Sequence, residues 1–211
     1  MAQSSGTGQS DSAETKARSI DDHDWHSQTY VNQWMTKDRG RTARRQPLFQ
    51  RMIDGVPFAK DAALRVIDVG GGYGAVSEAM LRAFPQAQVT LQDYSQAMLD
   101  QARAHLAPYA ARMSYALGDL TDPNWTAQFA APFDLAVSAI AIHNLMEMPV
   151  IAACYRDIHG ILKPGGVFID CDHFDHVETI DSHIQALKDA GFAQVECLWR
   201  ESPSGILRAK V

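Results

Sequence analysis

The run Val66-Ile67-Asp68-Val69-Gly70-Gly71-Gly72-Tyr73-Gly74 limits what this chain can fold into more than any other segment, because an apolar strand passes directly into a glycine turn and then a helix. The strand is read over 64–69, and the helix over 75–84 from the spacing of Val76, Met80, Leu81 and Phe84 ahead of Pro85. Residues without a Cβ let the backbone turn sharply and approach a ligand closely, while a helix start offers N–H donors to an anionic group. A small cofactor is expected there. Gly70 to Ala75 also fits the looser dinucleotide fingerprint with Ala in the last place, so the turn alone leaves two cofactor classes open.

With 211 residues, 46% of them hydrophobic, the chain is long enough for one well-buried domain plus a tail or cap. The formal net charge of −6 argues against a large nonspecific nucleic-acid surface. Cys154, Cys171 and Cys197 are odd in number and widely spaced, which indicates neither a disulfide framework nor a CxxC metal site and suits a reducing cytoplasm. No stretch has the apolar length of a membrane span, and the first residues lack the pattern of a secretory signal. Residues 1–20, rich in Ser, Gly, Gln and Ala, read as a disordered tail.

Residues 21–57 read as a helical cap or lid, in which Trp25, Tyr30, Trp34, Phe49, Met52 and Ile53 are apolar anchors among charges. From 58 to 211 the pattern is that of one cofactor-binding domain. Strands are expected at 64–69, 88–93, 112–117, 133–141 and 167–172, with helices at 75–84, 96–107, 148–161 and 179–190. Such alternation implies an α/β, doubly wound, mostly parallel sheet covered on both faces. The last two strands, 193–200 and 206–211, are joined through Ser202-Pro203-Ser204-Gly205, too short for a crossover and suited to an antiparallel hairpin. Seven strands result.

Asp93 ends the second strand, where a carboxylate can accept from two ribose hydroxyls; this serves NAD and S-adenosylmethionine equally. Other residues separate them: Asp68 ahead of the glycines, Gly118-Asp119-Leu120 after the third strand, Leu162-Lys163-Pro164-Gly165-Gly166 before the fifth, and the closing hairpin. In this order the motifs resemble class I S-adenosylmethionine-dependent methyltransferases of the small, metabolite-modifying kind, over roughly residues 60–211. The resemblance implies a Rossmann-like fold, S-adenosylmethionine as donor and S-adenosylhomocysteine as product. It implies that Asp68 and the backbone at Gly70, Gly72 and Gly74 hold the methionine portion, that Asp93 takes the ribose, that Tyr94 and Met98 flank the adenine, and that Asp119 and the Leu120 N–H meet its edge. A nicotinamide dehydrogenase would need a substrate segment for which little chain remains.

Methyl transfer from a sulfonium is an in-line displacement, so the protein has chiefly to align donor and acceptor and exclude water. A hydroxyl or ammonium acceptor would also need a base, and His143, just beyond the apolar strand, is the candidate. Many members of the family carry a histidine pair there, whereas this chain reads His143-Asn144. Asp172-His173-Phe174-Asp175-His176 reads as a polar rim of the site; its spacing matches no metal signature, and no metal is assigned. Asp172 and His173, with Trp25, Tyr30 and Trp34 from the cap, are the candidate acceptor contacts. Arg39, Arg41, Arg44 and Arg45 read as a solvated helix face, with an anionic acceptor as the other use of such a cluster. The reading is a methyltransferase acting on a small molecule. A tRNA-modifying or cofactor-derivatising enzyme of the same fold, and a noncatalytic cofactor-binding protein, are the alternatives.

Overall fold

The computed structural model describes residues 24, 25, 27–39 and 42–211. The expected disordered tail therefore lies outside the described residues, as does Arg41 of the arginine cluster. Among the described residues seven strands, β1 (Arg65–Val69), β2 (Gln88–Asp93), β3 (Met113–Leu117), β4 (Phe133–Ala139), β5 (Leu162–Asp172), β6 (Gln194–Glu201) and β7 (Ser204–Lys210), form one sheet. Their spatial order is β3-β2-β1-β4-β5-β7-β6. β1 to β5 are parallel, and β7 runs antiparallel to both β5 and β6. The chain leaves β1 in one direction for β2 and β3, then returns to place β4 on the other side of β1. That reversal opens a crevice at the carboxyl ends of β1 and β4.

Among the described residues six α-helices accompany the strands: α1 (Gln28–Arg39), α2 (Thr42–Asp54), α3 (Ala75–Ala83), α4 (Gln96–His105), α5 (Met148–Gly160) and α6 (Ile180–Asp189). Because side chains alternate along a strand, each face of the sheet carries its own apolar layer. Val66, Leu91, Leu135, Val137, Val167 and Ile169 pack with Phe49 and Met52 of α2, Met80 and Leu81 of α3 and Leu99 of α4. Ile67, Val69, Ala136, Phe168 and Leu207 pack on the other face with Ile151, Tyr155 and Ile158 of α5 and Leu187 of α6. α3 stops at Phe84, and the Arg112 guanidinium then donates to the carbonyls of Leu81, Phe84 and Ala87.

Two sequence expectations shift. The Lys163-Pro164-Gly165-Gly166 breaker does not precede β5 but lies within it, because the strand already pairs at Leu162, opposite Phe133, before an irregularity in the register. Short 3-10 turns at Ala107–Arg112, Trp125–Gln128, Ile142–Leu145 and Phe174–His176 occupy connections read as plain loops.

Candidate active site

The crevice contains a cavity of about 570 Å³. Its floor is the glycine turn. Gly70, Gly72 and Gly74 all have positive φ, at 63, 56 and 92°. A Cβ on Gly70 would stand 2.6 Å from the Ala141 Cβ, and one on Gly74 would stand 2.5 Å from Leu106 Cδ1. Gly70 and Gly72 line the cavity, whereas Gly74 caps α3 and does not. Its role is the close approach of that helix to Leu106 and Leu91. The turn N–H groups are also engaged within the protein: Gly70 donates to the Gln92 Oε1, Gly71 to the Gln92 carbonyl, Gly72 to Asp93 Oδ2 and Gly74 to the Gly71 carbonyl. Gly70, Gly72 and Gly74 thus give the turn its shape, with their N–H groups engaged by Gln92, Asp93 and Gly71.

Three acids line this end. Asp68 is fully buried, with Oδ2 accepting from the Ser77 hydroxyl at 2.6 Å while Oδ1 has no partner. Burial pushes its carboxyl up to about 7. A buried, half-satisfied carboxylate facing a cavity is costly without a cationic or donor group to meet it, so this atom fits an ammonium group. Asp93 is buried at the end of β2, its two oxygens accepting from the N–H groups of Gly72 (2.9 Å) and Ser95 (2.8 Å); burial raises its carboxyl too. Each oxygen has a second acceptor position, which suits vicinal hydroxyls. Asp119 is exposed, and its Oδ1 accepts from both the N–H and hydroxyl of Thr121 at 2.8 Å. Tyr94, Met98 and Leu120 complete this wall. The Tyr94 hydroxyl is raised to about 12, first by burial and then by the neighbouring carboxylates.

The cap contributes Trp25, Trp34, Arg45 and Phe49 to the lining. The Trp25 ring lies 5.2 Å, edge on, from both Tyr30 and Trp34, and its carbonyl accepts from the Ser95 hydroxyl. Tyr30 therefore buttresses Trp25 instead of lining the cavity.

The remaining wall comprises Ala139, Ile140, Ala141, Asn144, Leu145 and Met146. Ile140 and Met146 hold φ at 54 and 62°, the left-handed region that a β-branched side chain resists; such strain gathers at functional sites. His143, Asp172 and His173 do not line the cavity, although Ala141 and Asn144 do. Parallel pairing of Ala139 with Cys171 brings the ends of β4 and β5 together. There Asp172, buried, accepts from the His143 and His173 N–H groups at 2.9 and 2.8 Å and meets His143 Nδ1 at 2.5 Å. The rings of His143, His173 and His176 lie 5.2–5.6 Å apart between centroids. Among the described residues no group of three or more His, Cys, Asp or Glu is arranged to hold a metal ion.

Sequence reasoning missed Gln92, which sits buried under the turn and joins it to the Gly118 carbonyl at 2.5 Å, so the ends of β1, β2 and β3 are tied through one side chain. A polar residue at an interior strand position was the available signal. Ile140, Asn144 and Met146 carried none, because their place depends on how the chain leaves β4.

Residues 66–166 match the family described as methyltransferase domain. Malonyl-[acyl-carrier protein] O-methyltransferase of Xylella fastidiosa is 30% identical over 156 residues, 73% of this chain and 48% of that protein. A ubiquinone/menaquinone biosynthesis C-methyltransferase of Dinoroseobacter shibae is 31% identical over 113 residues, 52% of this chain and 42% of that protein. The chain thus spans about half the length of the curated relatives it matches. Human N-acetylserotonin methyltransferase, solved in complex with SAM, shares the fold at a TM-score of 0.67 with 15% identity, covering 88% of this chain and 57% of that one.

Proposed function

We propose, taking as premise that residues 66–166 are a class I methyltransferase domain, that this protein transfers a methyl group from S-adenosylmethionine to a small-molecule acceptor. The observation that carries the reading is the unpartnered Oδ1 of buried Asp68 beside the glycine turn, on the strand adjacent to Asp93. In this reading Asp68 meets the methionine ammonium, Asp93 the ribose hydroxyls, Tyr94 and Met98 the adenine faces, and Asp119 with Leu120 its edge. When bound, the cofactor supplies an activated methyl on a sulfonium. The protein aligns that methyl with the acceptor and excludes water.

The described residues between 24 and 57 act as the lid over this site, with Trp25 and Trp34 facing the ligand and Tyr30 supporting them. His143 stands off the cavity lining, so we give it a positioning role, although Asp172 on its Nδ1 leaves Nε2 as the open ring nitrogen. It orders the junction of β4 and β5. A small-molecule acceptor, rather than a nucleic acid, agrees with the net charge of −6. Among the described residues no helix is long and apolar enough to cross a membrane. The free thiols of Cys154, Cys171 and Cys197 favour a reducing, cytoplasmic setting.

The test is incubation with S-adenosylmethionine labelled in its methyl group and a metabolite extract, with chromatography of the products. Label in a low-mass product, strongly reduced at limiting S-adenosylmethionine by Asp68→Asn, is expected. Label in RNA or protein would overturn the small-molecule acceptor.

A further inference from the structure

We propose that Asn144 positions the acceptor, by accepting a hydrogen bond from a hydroxyl or N–H group that the acceptor carries on an apolar body. This rests on the donor reading above and names the acceptor's class and its contact in the same site.

The wall that follows β4 is apolar but for one residue. Among the described residues that line the cavity there, Ala139, Ile140, Ala141, Leu145 and Met146 are apolar, and Asn144 alone carries a hydrogen-bonding side chain. Its place follows from two contacts. β4 runs beside β1 with Ser138 opposite Val69, so the exit of β4 meets the glycine turn, and a Cβ on Gly70 would stand 2.6 Å from that of Ala141. The Ala141 carbonyl accepts from both the backbone N–H and the side-chain Nδ2 of Asn144, each at 3.1 Å. The amide is thereby tied to the residue that abuts the turn, next to the methionine portion of the donor in the reading above.

The same tie decides which way round the amide sits. Only an N–H can face a carbonyl oxygen, so Nδ2 lies on Ala141 and Oδ1 is left to accept. Among the described residues none donates to Oδ1, and Asn144 is exposed. Other polar groups of the lining are committed: Gln92 joins Gly70 to Gly118, the Thr121 hydroxyl donates to Asp119, and Arg45 has partners within the protein, the Trp34 ring among them. Ile140 and Met146, with φ of 54 and 62°, bracket the segment that presents Asn144. Two such residues in the left-handed region are a cost that a functional wall explains.

The neighbours of Asn144 set the rest of the acceptor. Met146, 69% exposed and unbranched, lies on the lining where it can mould to an apolar shape. Trp34 of α1 and Phe49 of α2 add aromatic surface. An apolar body loses water favourably against these side chains, and its one donor group finds a partner in Oδ1; an acceptor with many polar groups would lose water here without replacement. A neutral amide takes up no proton at neutral pH, so Asn144 orients the acceptor and does not act as a base.

The test uses calorimetric titration of the full chain, first with S-adenosylhomocysteine and then, on the saturated protein, with probes paired on one apolar body: 2-naphthol beside 2-methoxynaphthalene, and indole beside N-methylindole. Wild type is expected to bind the O–H or N–H member roughly threefold to tenfold tighter, the size of one neutral hydrogen bond. N144A should lose that preference with S-adenosylhomocysteine affinity within about threefold of wild type, because the Asn144 backbone N–H to Ala141 remains. N144D, which keeps a side-chain oxygen, should retain part of the preference. Phenol should bind more weakly than 2-naphthol, because it buries less apolar surface. No preference in wild type, or a preference that survives in N144A, overturns the role of Asn144 and leaves the donor reading intact. Equal affinity for phenol and 2-naphthol overturns the apolar body. A fall in S-adenosylhomocysteine affinity in N144A that matches the fall for the probes assigns the amide to the donor and overturns its acceptor role. If S-adenosylhomocysteine does not bind wild type, the donor reading and the role of Asn144 are overturned together.

Discussion

The two ends of the cavity are built on opposite plans. At the β1–β3 end, backbone turns and short acidic side chains are fixed by contacts within the same βαβ unit, down to the Gln92 amide that ties Gly70 to Gly118. At the β4–β5 end, the order comes from residues far apart in sequence, with Asp172 gathering the backbones of His143 and His173 and leaving both rings off the cavity lining. In the proposed reading a donor meets a fixed, local design at the first end, whereas the second end is assembled from the N-terminal helices, a strained strand exit and a buried carboxylate. Mutations at the first end should act on donor affinity, and at the second on stability and acceptor use.

The largest effect is expected from Asp68→Asn. Losing a charged partner for an ammonium in a buried site costs about 1.5–3 kcal/mol, so S-adenosylhomocysteine affinity, read by calorimetry, should fall by roughly tenfold to a hundredfold. The same group gives a pH signature. Burial raises its carboxyl from 3.8 to about 7, so the ligand-free folded protein holds a proton that the unfolded chain has lost between those values. This group therefore makes the ligand-free protein less stable as pH rises through that window. Donor binding, which needs the carboxylate, should strengthen as pH rises toward about 7 and flatten above it. Asp68→Asn should remove that slope.

Next comes Gly74→Ala, which places a Cβ 2.5 Å from Leu106 Cδ1 at a φ of 92°. A loss of about 1–3 kcal/mol in denaturant-monitored stability is expected. Because Gly74 is off the cavity lining, donor affinity should suffer less than with Asp68→Asn. Equal losses would erase the distinction between shaping and contacting residues.

Asp172→Asn tests the other end. It weakens three contacts of a buried carboxylate and should cost about 1–3 kcal/mol of stability, with S-adenosylhomocysteine affinity within about threefold of wild type. The smallest effect is expected from His143→Ala, about 1 kcal/mol of stability, since the backbone contacts to Asp172 remain. A pH-dependent collapse of turnover in this variant, with stability intact, would restore His143 as the base and break the comparison.

The same contrast explains what could be read from the sequence. Strand β1, the glycine turn and α3 are local, and the expected strand 64–69 and helix 75–84 differ from the observed bounds by one residue at an end. Asp68 and Asp93, at the carboxyl ends of β1 and β2, and Tyr94, Met98, Asp119 and Leu120, which the resemblance to class I methyltransferases implied, all line the cavity. The meeting of His143 with Asp172 was not legible, because it depends on the β4–β5 register, which no local pattern specifies. Nor was the division of the cap: Trp25 and Trp34 line the cavity while Tyr30 supports them, a choice set by α1 packing near Ser95, Met98 and Tyr73. Arg45 was legible only as one of a charged cluster.

The central claim is that the glycine turn, Asp68 and Asp93 form the seat of a methyl donor rather than of a dinucleotide. Calorimetric titration of the full chain with S-adenosylhomocysteine, and separately with NADH, tests it most directly. Saturable one-to-one binding of S-adenosylhomocysteine, weakened by Asp68→Asn, with no saturable heat from NADH, is the predicted result; saturable NADH binding without any for S-adenosylhomocysteine would contradict it.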